Sequence, residues 1–284
     1  MIKDFCAFIL THGRPDNVIT YDTLLRHGYT GPIYIVIDNE DKTSDRYRKR
    51  FGDKVVMFDK LAVSKTFDEA DNFNDRRAIV YARNACFDIA KELGYKYFIQ
   101  LDDDYTRFEH RYIFGDKLLT KHTSNLDFCL GLMVEFLNTS NCETVAMAQG
   151  GDFIGGANND FAKNQIMKRK AMNTFLCSTE KPFKFLGRIN EDVNTYTSEA
   201  SRGVLMFTIP QISIIQKQTQ SNKGGMSDIY NIQGTYIKSF YTIIFSPSSV
   251  MIGLMGDKHK RLHHSINWIN TVPKIIDQKH KKYE

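Results

Sequence analysis

Three short apolar runs alternate with helical patterns in the first hundred residues, and each run ends on a polar cluster. Phe5–Leu10 leads into Thr11-His12-Gly13-Arg14-Pro15, Ile33–Ile37 into Asp38-Asn39-Glu40-Asp41, and Tyr97–Leu101 into Asp102-Asp103-Asp104. Short apolar runs bounded by Gly, Pro or charge are the mark of strands buried on both faces. Between them lie a helical stretch around Asp16–His27, a charged surface helix within Lys42–Arg50 and a further short strand, Lys54–Phe58. Asp75–Leu93 has the strongest helical spacing, with Ile79, Ala82, Cys86, Ile89, Ala90 and Leu93 on one stripe and Gly94 as its stop. Strand and helix in alternation predict an α/β fold with an open, mostly parallel sheet flanked by helices. Ligands of such sheets bind outside the carboxyl ends of the strands, which is where the three polar clusters fall.

Ending a buried strand on three adjacent carboxylates is costly unless a cation compensates the repulsion and desolvation. On an extended chain Asp102 and Asp104 share a face and Asp103 takes the other. Two carboxylates on one face suit a hard divalent cation, Mn²⁺ or Mg²⁺, whose remaining positions a diphosphate can fill. The plain alternative is a solvated acidic turn. Two further polar clusters on the same sheet edge favour a nucleotide site.

The second half is less regular. Leu126–Leu137 is helical in pattern, and Thr144–Ala148 reads as a strand leading into Gln149-Gly150-Gly151-Asp152, where the glycines allow a ligand close to the backbone. Gln165–Asn173 is basic without a clear element, Ser221–Gly225 reads as a lid loop, and Tyr241–Phe245 and Val250–Leu254 read as late strands. Asn190 followed by Glu191 and Asp192 has the form of a helix start, a capping residue with acids in the first turn, whose dipole keeps Asp192 ionised and lowers its basicity. A basic, histidine-rich stretch, Gly256–His264, follows the last of these strands. With no linker or repeat, the chain reads as one domain, 1–284, with a nucleotide-binding half (1–104) and an acceptor half (105–284).

Composition narrows the class. Five cysteines without a C-x-x-C pair argue against a disulfide framework or zinc site and for a reducing, cytoplasmic compartment. No apolar run reaches membrane-spanning length, so no membrane partner is expected. A net charge of +5 permits nucleic-acid binding without requiring it, and positive charge gathers at Lys258–Arg261 and Lys279–Lys282.

The ordered set of Thr-His-Gly-Arg, the acids after the second strand, Ala82-Arg83-Asn84 and the Asp triplet resembles the GT-A glycosyltransferases. That resemblance implies a Rossmann-like GT-A fold and a nucleotide-sugar donor. It assigns Thr11, His12, Arg14 and Asp38 to base and ribose, Arg83 to the neighbourhood of the diphosphate, Asp102 and Asp103 to the donor, and Asp104 with Asp102 to the metal. Gly150 and Gly151 border the donor. Asp192, with Glu191 beside it, is the implied base of an inverting reaction. The late metal-binding histidine falls on His259 or His264, with His263 third, and Lys258, Lys260 and Arg261 are implied to neutralise the leaving diphosphate. More narrowly, Gln-Leu-Asp-Asp-Asp, Gly-Arg-x-Asn-Glu-Asp, the His-His pair and Asn267-Trp268 are similar to the TET-associated glycosyltransferases of bacteriophages. The acceptor implied is then a 5-hydroxymethylpyrimidine in phage DNA, in the host cytoplasm, with Trp268 as an intercalating or stacking residue, against the plain alternative of a core tryptophan. Three rivals stand beside this reading: transfer to a glycan or protein, a nucleic-acid-binding module on a degenerate transferase fold, and a nucleotidyltransferase or sugar-phosphate pyrophosphorylase. Thr11–Pro15 is too short and glycine-poor for the phosphate loop that a nucleotidyltransferase would need.

Overall fold

The computed structural model describes residues 3–71, 74–217, 237–256, 260–272 and 275–282. Nine strands form its main sheet: β1 (Phe5–Leu10), β2 (Ile33–Asp38), β3 (Val55–Phe58), β4 (Tyr97–Asp102), β5 (Tyr105–Phe114), β6 (Lys117–His122), β7 (Thr144–Ala148), β8 (Phe175–Ser178) and β9 (Met206–Gln216). Their order is β3-β2-β1-β4-β8-β7-β9-β5-β6, so strands from both halves of the chain share one sheet. The pairings among β3, β2, β1 and β4 are parallel. Beyond β4 the sheet is mixed: β8 is antiparallel to both neighbours, β7 and β9 are parallel, and β5 is antiparallel to β9 and β6. No helix among the described residues is long and apolar enough to cross a membrane.

Why β1 is apolar along its whole length is clear from its two faces. Phe5, Ala7 and Ile9 pack on one side with Ile33, Ile35 and Ile37, under α1 (Ile19–Arg26), α2 (Ser44–Phe51) and α5 (Leu126–Ser140). Cys6, Phe8 and Leu10 pack on the other with Val36 and Phe98, under α4 (Val80–Glu92) and α6 (Glu191–Ser201). A strand with a core on each side can spare no polar residue. A short helix, α3 (Lys60–Ser64), follows β3. Register places Leu10 beside both Val36 and Asp102, so all three predicted polar clusters leave the sheet at one edge.

Several elements differ from the sequence reading. Helix α4 begins at Val80 rather than Asp75, because Asp75 accepts the backbone N–H and guanidinium of Arg77 in a local turn that competes with helix. Residues 237–245, read as a strand over Tyr241–Phe245, are helical (α7). Ser239 and Thr242, with Ser246 just past its end, are buried at helical spacing, a periodicity hidden by the helix's aromatic and β-branched content. β10 (Val250–Met255) pairs antiparallel with β11 (Arg261–Ile266) as a separate ribbon, followed by α8 (Trp268–Thr271). The hairpin β5–β6 and strands β8 and β9 had no counterpart in the sequence reading. The Ser221–Gly225 lid loop lies outside the described residues. The basic tail is tied down rather than free: His280 is buried, with Nδ1 2.7 Å from the Asn141 carbonyl oxygen, and Nε2 accepts from the Leu205 N–H.

Candidate active site

The three strand ends open into one cavity of about 760 Å³. Its floor at the parallel half is Leu10, Thr11, His12 and Arg14 after β1, Asp38 closing β2, Phe58 and Lys60 after β3, and Asp102–Asp104 after β4. Further lining comes from α6 (Asp192, Val193, Tyr196), α7 (Lys238), β11 (His263–Ile266) and Trp268 of α8.

Asp38 is the best-partnered acid of the nucleotide end. His12 Nδ1 stands 2.7 Å from its Oδ2, and Lys60 Nζ, itself buried, 3.2 Å from the same atom. Burial pushes the Asp38 carboxyl up, but the His12 hydrogen bond and the Lys60 charge outweigh it and hold it below the ordinary range. The neighbouring turn is fastened by Asp41, whose Oδ2 accepts the Gly13 N–H at 2.8 Å, where Gly13 adopts φ +69°. Lys60 escaped the sequence reading, although β3 is a fourth parallel strand ending on charge.

Strand alternation does not reach the whole triplet: β4 ends at Asp102, Asp103 and Asp104 lie in the turn that follows, and all three line the cavity. Asp103 is buried, where Thr11 donates to its Oδ2 at 2.6 Å and Arg14 Nε lies 3.1 Å from the same oxygen. Asp102 and Asp104 are half-buried. Asp104 makes no salt bridge among the described residues. Burial is the main cause that lifts all three carboxyls to about 6; Asp103's charge adds to it at Asp104, while Arg83 opposes it at Asp102 and Arg14 at Asp103. Two half-buried carboxylates with raised proton affinity, facing a cavity, fit the oxygen-donor half of a Mn²⁺ or Mg²⁺ site. No group of three His, Cys, Asp or Glu stands within metal reach of one another among the described residues, so His264 is not assembled with the aspartates. His264 lines the same cavity, and burial lowers it to about 4, which keeps it neutral. His259 and Lys258 lie outside the described residues, and Arg261 sits on β11 opposite Met255.

Arg83 does not line the cavity. It is buried beneath it, with Nη2 2.9 Å from Asp102 Oδ1, Nε 2.9 Å from Glu191 Oε1, and its guanidinium over the Phe175 ring. Glu191 is likewise turned to Arg83, and it is Asp192 that reaches the cavity. Asp192 Oδ1 accepts the Val193 N–H at 2.7 Å, and burial raises its carboxyl against the pull of Arg83, so the helix terminus does not set its basicity alone. Asn190 takes the N-cap position with φ +57°, but its side chain caps nothing. Its Nδ2 donates to the Lys238 carbonyl and lies 3.5 Å from His264 Nδ1, which joins α6 to α7 and β11. Gly150 and Gly151 are exposed at the start of a 3-10 helix, Gly150–Phe153, and do not line the cavity, whereas its N-cap Gln149 does.

Solved structures give distant likenesses. TarS 1–349 of S. aureus with UDP-GlcNAc aligns at 9% identity and TM-score 0.43, over 85% of this chain and 67% of that one. Another structure of TarS 1–349 aligns at 8% identity and TM-score 0.40, covering 74% of this chain and 59% of that one, so the chain spans about three-fifths of its length. Glucosyl-3-phosphoglycerate synthase of Mycobacterium tuberculosis aligns at 10% identity and TM-score 0.44, over 91% and 86%. Among curated proteins, none matches the chain. A family model described as TET-Associated Glycosyltransferase matches residues 5–225, most of the chain and all of the strand-end clusters. The chain belongs to the TET-associated glycosyltransferase family.

Proposed function

We propose that this glycosyltransferase takes a sugar from a nucleotide-sugar, a UDP-sugar first among candidates, and places it on the hydroxyl of a 5-hydroxymethylpyrimidine in DNA. One observation carries the reading: Asp38, Asp102, Asp104 and Asp192, from the ends of β2 and β4 and the start of α6, open onto a single cavity. In this reading Thr11, His12, Arg14, Asp38 and Lys60 hold the base and ribose, with Asp103 fixing Thr11 and Arg14 beneath them. Asp102 and Asp104 hold the divalent cation, which when bound neutralises charge on the departing diphosphate. Arg83 is buried and holds Asp102 and Glu191 in place. Asp192 keeps one oxygen on the Val193 N–H and offers the other to the acceptor hydroxyl. Attack by that hydroxyl on the anomeric carbon, with its proton passing to Asp192 and the anomeric C–O bond to the nucleoside diphosphate breaking on the opposite face, inverts that carbon. The TET association in the family's name favours the hydroxymethylpyrimidine over a glycan or protein acceptor. The five cysteines are unpaired, in keeping with a reducing cytoplasm, and 1–284 acts as one domain.

The test is mass spectrometry of hydroxymethylated DNA after incubation with the protein, Mn²⁺ and a panel of nucleotide sugars. A gain of one sugar on the modified nucleoside is the expected result. Transfer to a glycan or protein alone would refute the acceptor assignment, and no turnover with any donor would refute the enzyme.

A further inference from the structure

The cavity has an aromatic wall, at the tryptophan for which the family resemblance implied stacking, that the proposed donor, metal and base roles leave unused. Trp268 is the sole tryptophan of the chain, lies 39% exposed at the cavity edge, and stacks on Tyr196 with ring centroids 5.8 Å apart and planes 12° from parallel. Tyr196 is buried, so the pair is a fixed backing with an accessible outer member. A tryptophan left this open beside a polar site carries apolar area that a planar ligand can cover.

Position along α6 says which ligand. Asp192 and Tyr196 are four residues apart and lie on one helix face, separated by about 6 Å of rise. The wall therefore stands one helical turn from Asp192, the proposed base, and lines the same cavity as the His12–Asp38–Lys60 cluster proposed to hold the donor base. β11 leads directly into it: His263, His264, Ser265 and Ile266 line the same wall, and Asn267 caps α8 by accepting the Ile269 and Asn270 N–H groups. A hydroxymethyl group projects in the plane of its pyrimidine, so a ring stacked on Trp268 carries its hydroxyl along the wall toward Asp192.

We propose that Trp268, backed by Tyr196, is the stacking platform for the acceptor base, and that the acceptor is taken as an unstacked nucleobase of a single strand or a flipped nucleotide. This rests on the DNA-acceptor reading and adds the residue that recognises the ring. Unstacking is a small cost for a base in single-stranded DNA, and an aromatic face replaces the neighbour it gives up.

Because Trp268 is the only tryptophan, its fluorescence reports on the platform alone. The protein with UDP and Mn²⁺ is titrated with a single-stranded oligonucleotide carrying one 5-hydroxymethylcytosine, with the same strand abasic at that position, and with a neutral oligosaccharide. Sugar transfer to the first strand is followed in parallel. The platform predicts strong quenching by the modified strand and little by the other two. It also predicts that Trp268→Leu raises KM for the oligonucleotide roughly 5- to 150-fold. Trp268→Phe restores KM to within about threefold, and UDP affinity measured alongside shows that each variant is folded. Equal quenching by the abasic strand, quenching by the oligosaccharide alone, or an unchanged KM in Trp268→Leu would each overturn the platform. Transfer to DNA without quenching overturns the platform and leaves the acceptor reading standing; absence of both overturns both.

Discussion

Replacing Arg83 by Met tests how the site is held together. Arg83 is 2% exposed and pairs with two carboxylates that have no other salt bridge among the described residues, Asp102 at 25% side-chain exposure and Glu191 at 12%. Removing one member of a buried ion pair costs about 3–5 kcal/mol, because the remaining charge is left without compensation. Solvent reaching Asp102 softens its share, so the lower end, about 3 kcal/mol, is the expected loss. At roughly 2–4 °C per kcal/mol for a large domain, the thermal midpoint falls by about 6–12 °C. The loss should shrink on acidification. Asp102 already has its carboxyl raised to about 6, and a group raised in the folded state contributes stability at low pH that is lost as pH rises through that value. Without Arg83 the carboxyl rises further, so protonation relieves more of the penalty at about pH 5 than at about pH 8. Adding Glu191→Gln to Arg83→Met removes one orphaned charge and should recover about 1 kcal/mol or more. Calorimetric unfolding of the three variants measures all of this. A single variant melting within about 1 °C of the parent protein, or a double variant less stable than Arg83→Met, would refute the bridging role.

Two further outcomes follow from the same geometry. Asp192→Asn should lower kcat by about 10²- to 10⁴-fold while leaving UDP affinity intact, read from initial rates and a binding titration; an unchanged kcat would remove Asp192 as the base. Mn²⁺ should raise the melting temperature more at about pH 8 than at about pH 5, because Asp102 and Asp104 must be ionised to hold it. Both carboxyls lie near 6, so the free protein loses their contribution as pH rises through that value, and the cation restores it. A larger shift at the acidic pH would contradict the assignment.

What could be read beforehand depended on where the physics is local. β1, β2 and β4 are buried on both faces, so their apolar runs and the polar residues that end them stand out in one dimension. Asp103 differs from its neighbours because Thr11 and Arg14 take its carboxylate in the turn after β4, a long-range pairing that strand alternation does not describe. Arg83 was not legible either: an arginine in a helix reads as exposed unless its carboxylate partners are known, and those are 19 and 108 residues away. α7 was hidden because Tyr-Thr-Ile-Ile-Phe suits a strand as well as a buried helix. Lys60 lacked a signal because a single lysine after a short strand is ordinary; only its burial against Asp38 marks it. Gly150 and Gly151 invited a ligand by composition and received a surface turn instead.

The account depends on acidic strand ends that bind a nucleotide through a cation. Calorimetric titration of UDP into the protein, with Mn²⁺ and with chelator, and again into Asp104→Asn, measures this directly. Binding that requires Mn²⁺ in the parent protein and loses that requirement together with its affinity in Asp104→Asn is the predicted result. Equal UDP affinity with chelator, or undiminished Mn²⁺-dependent binding in Asp104→Asn, would contradict it.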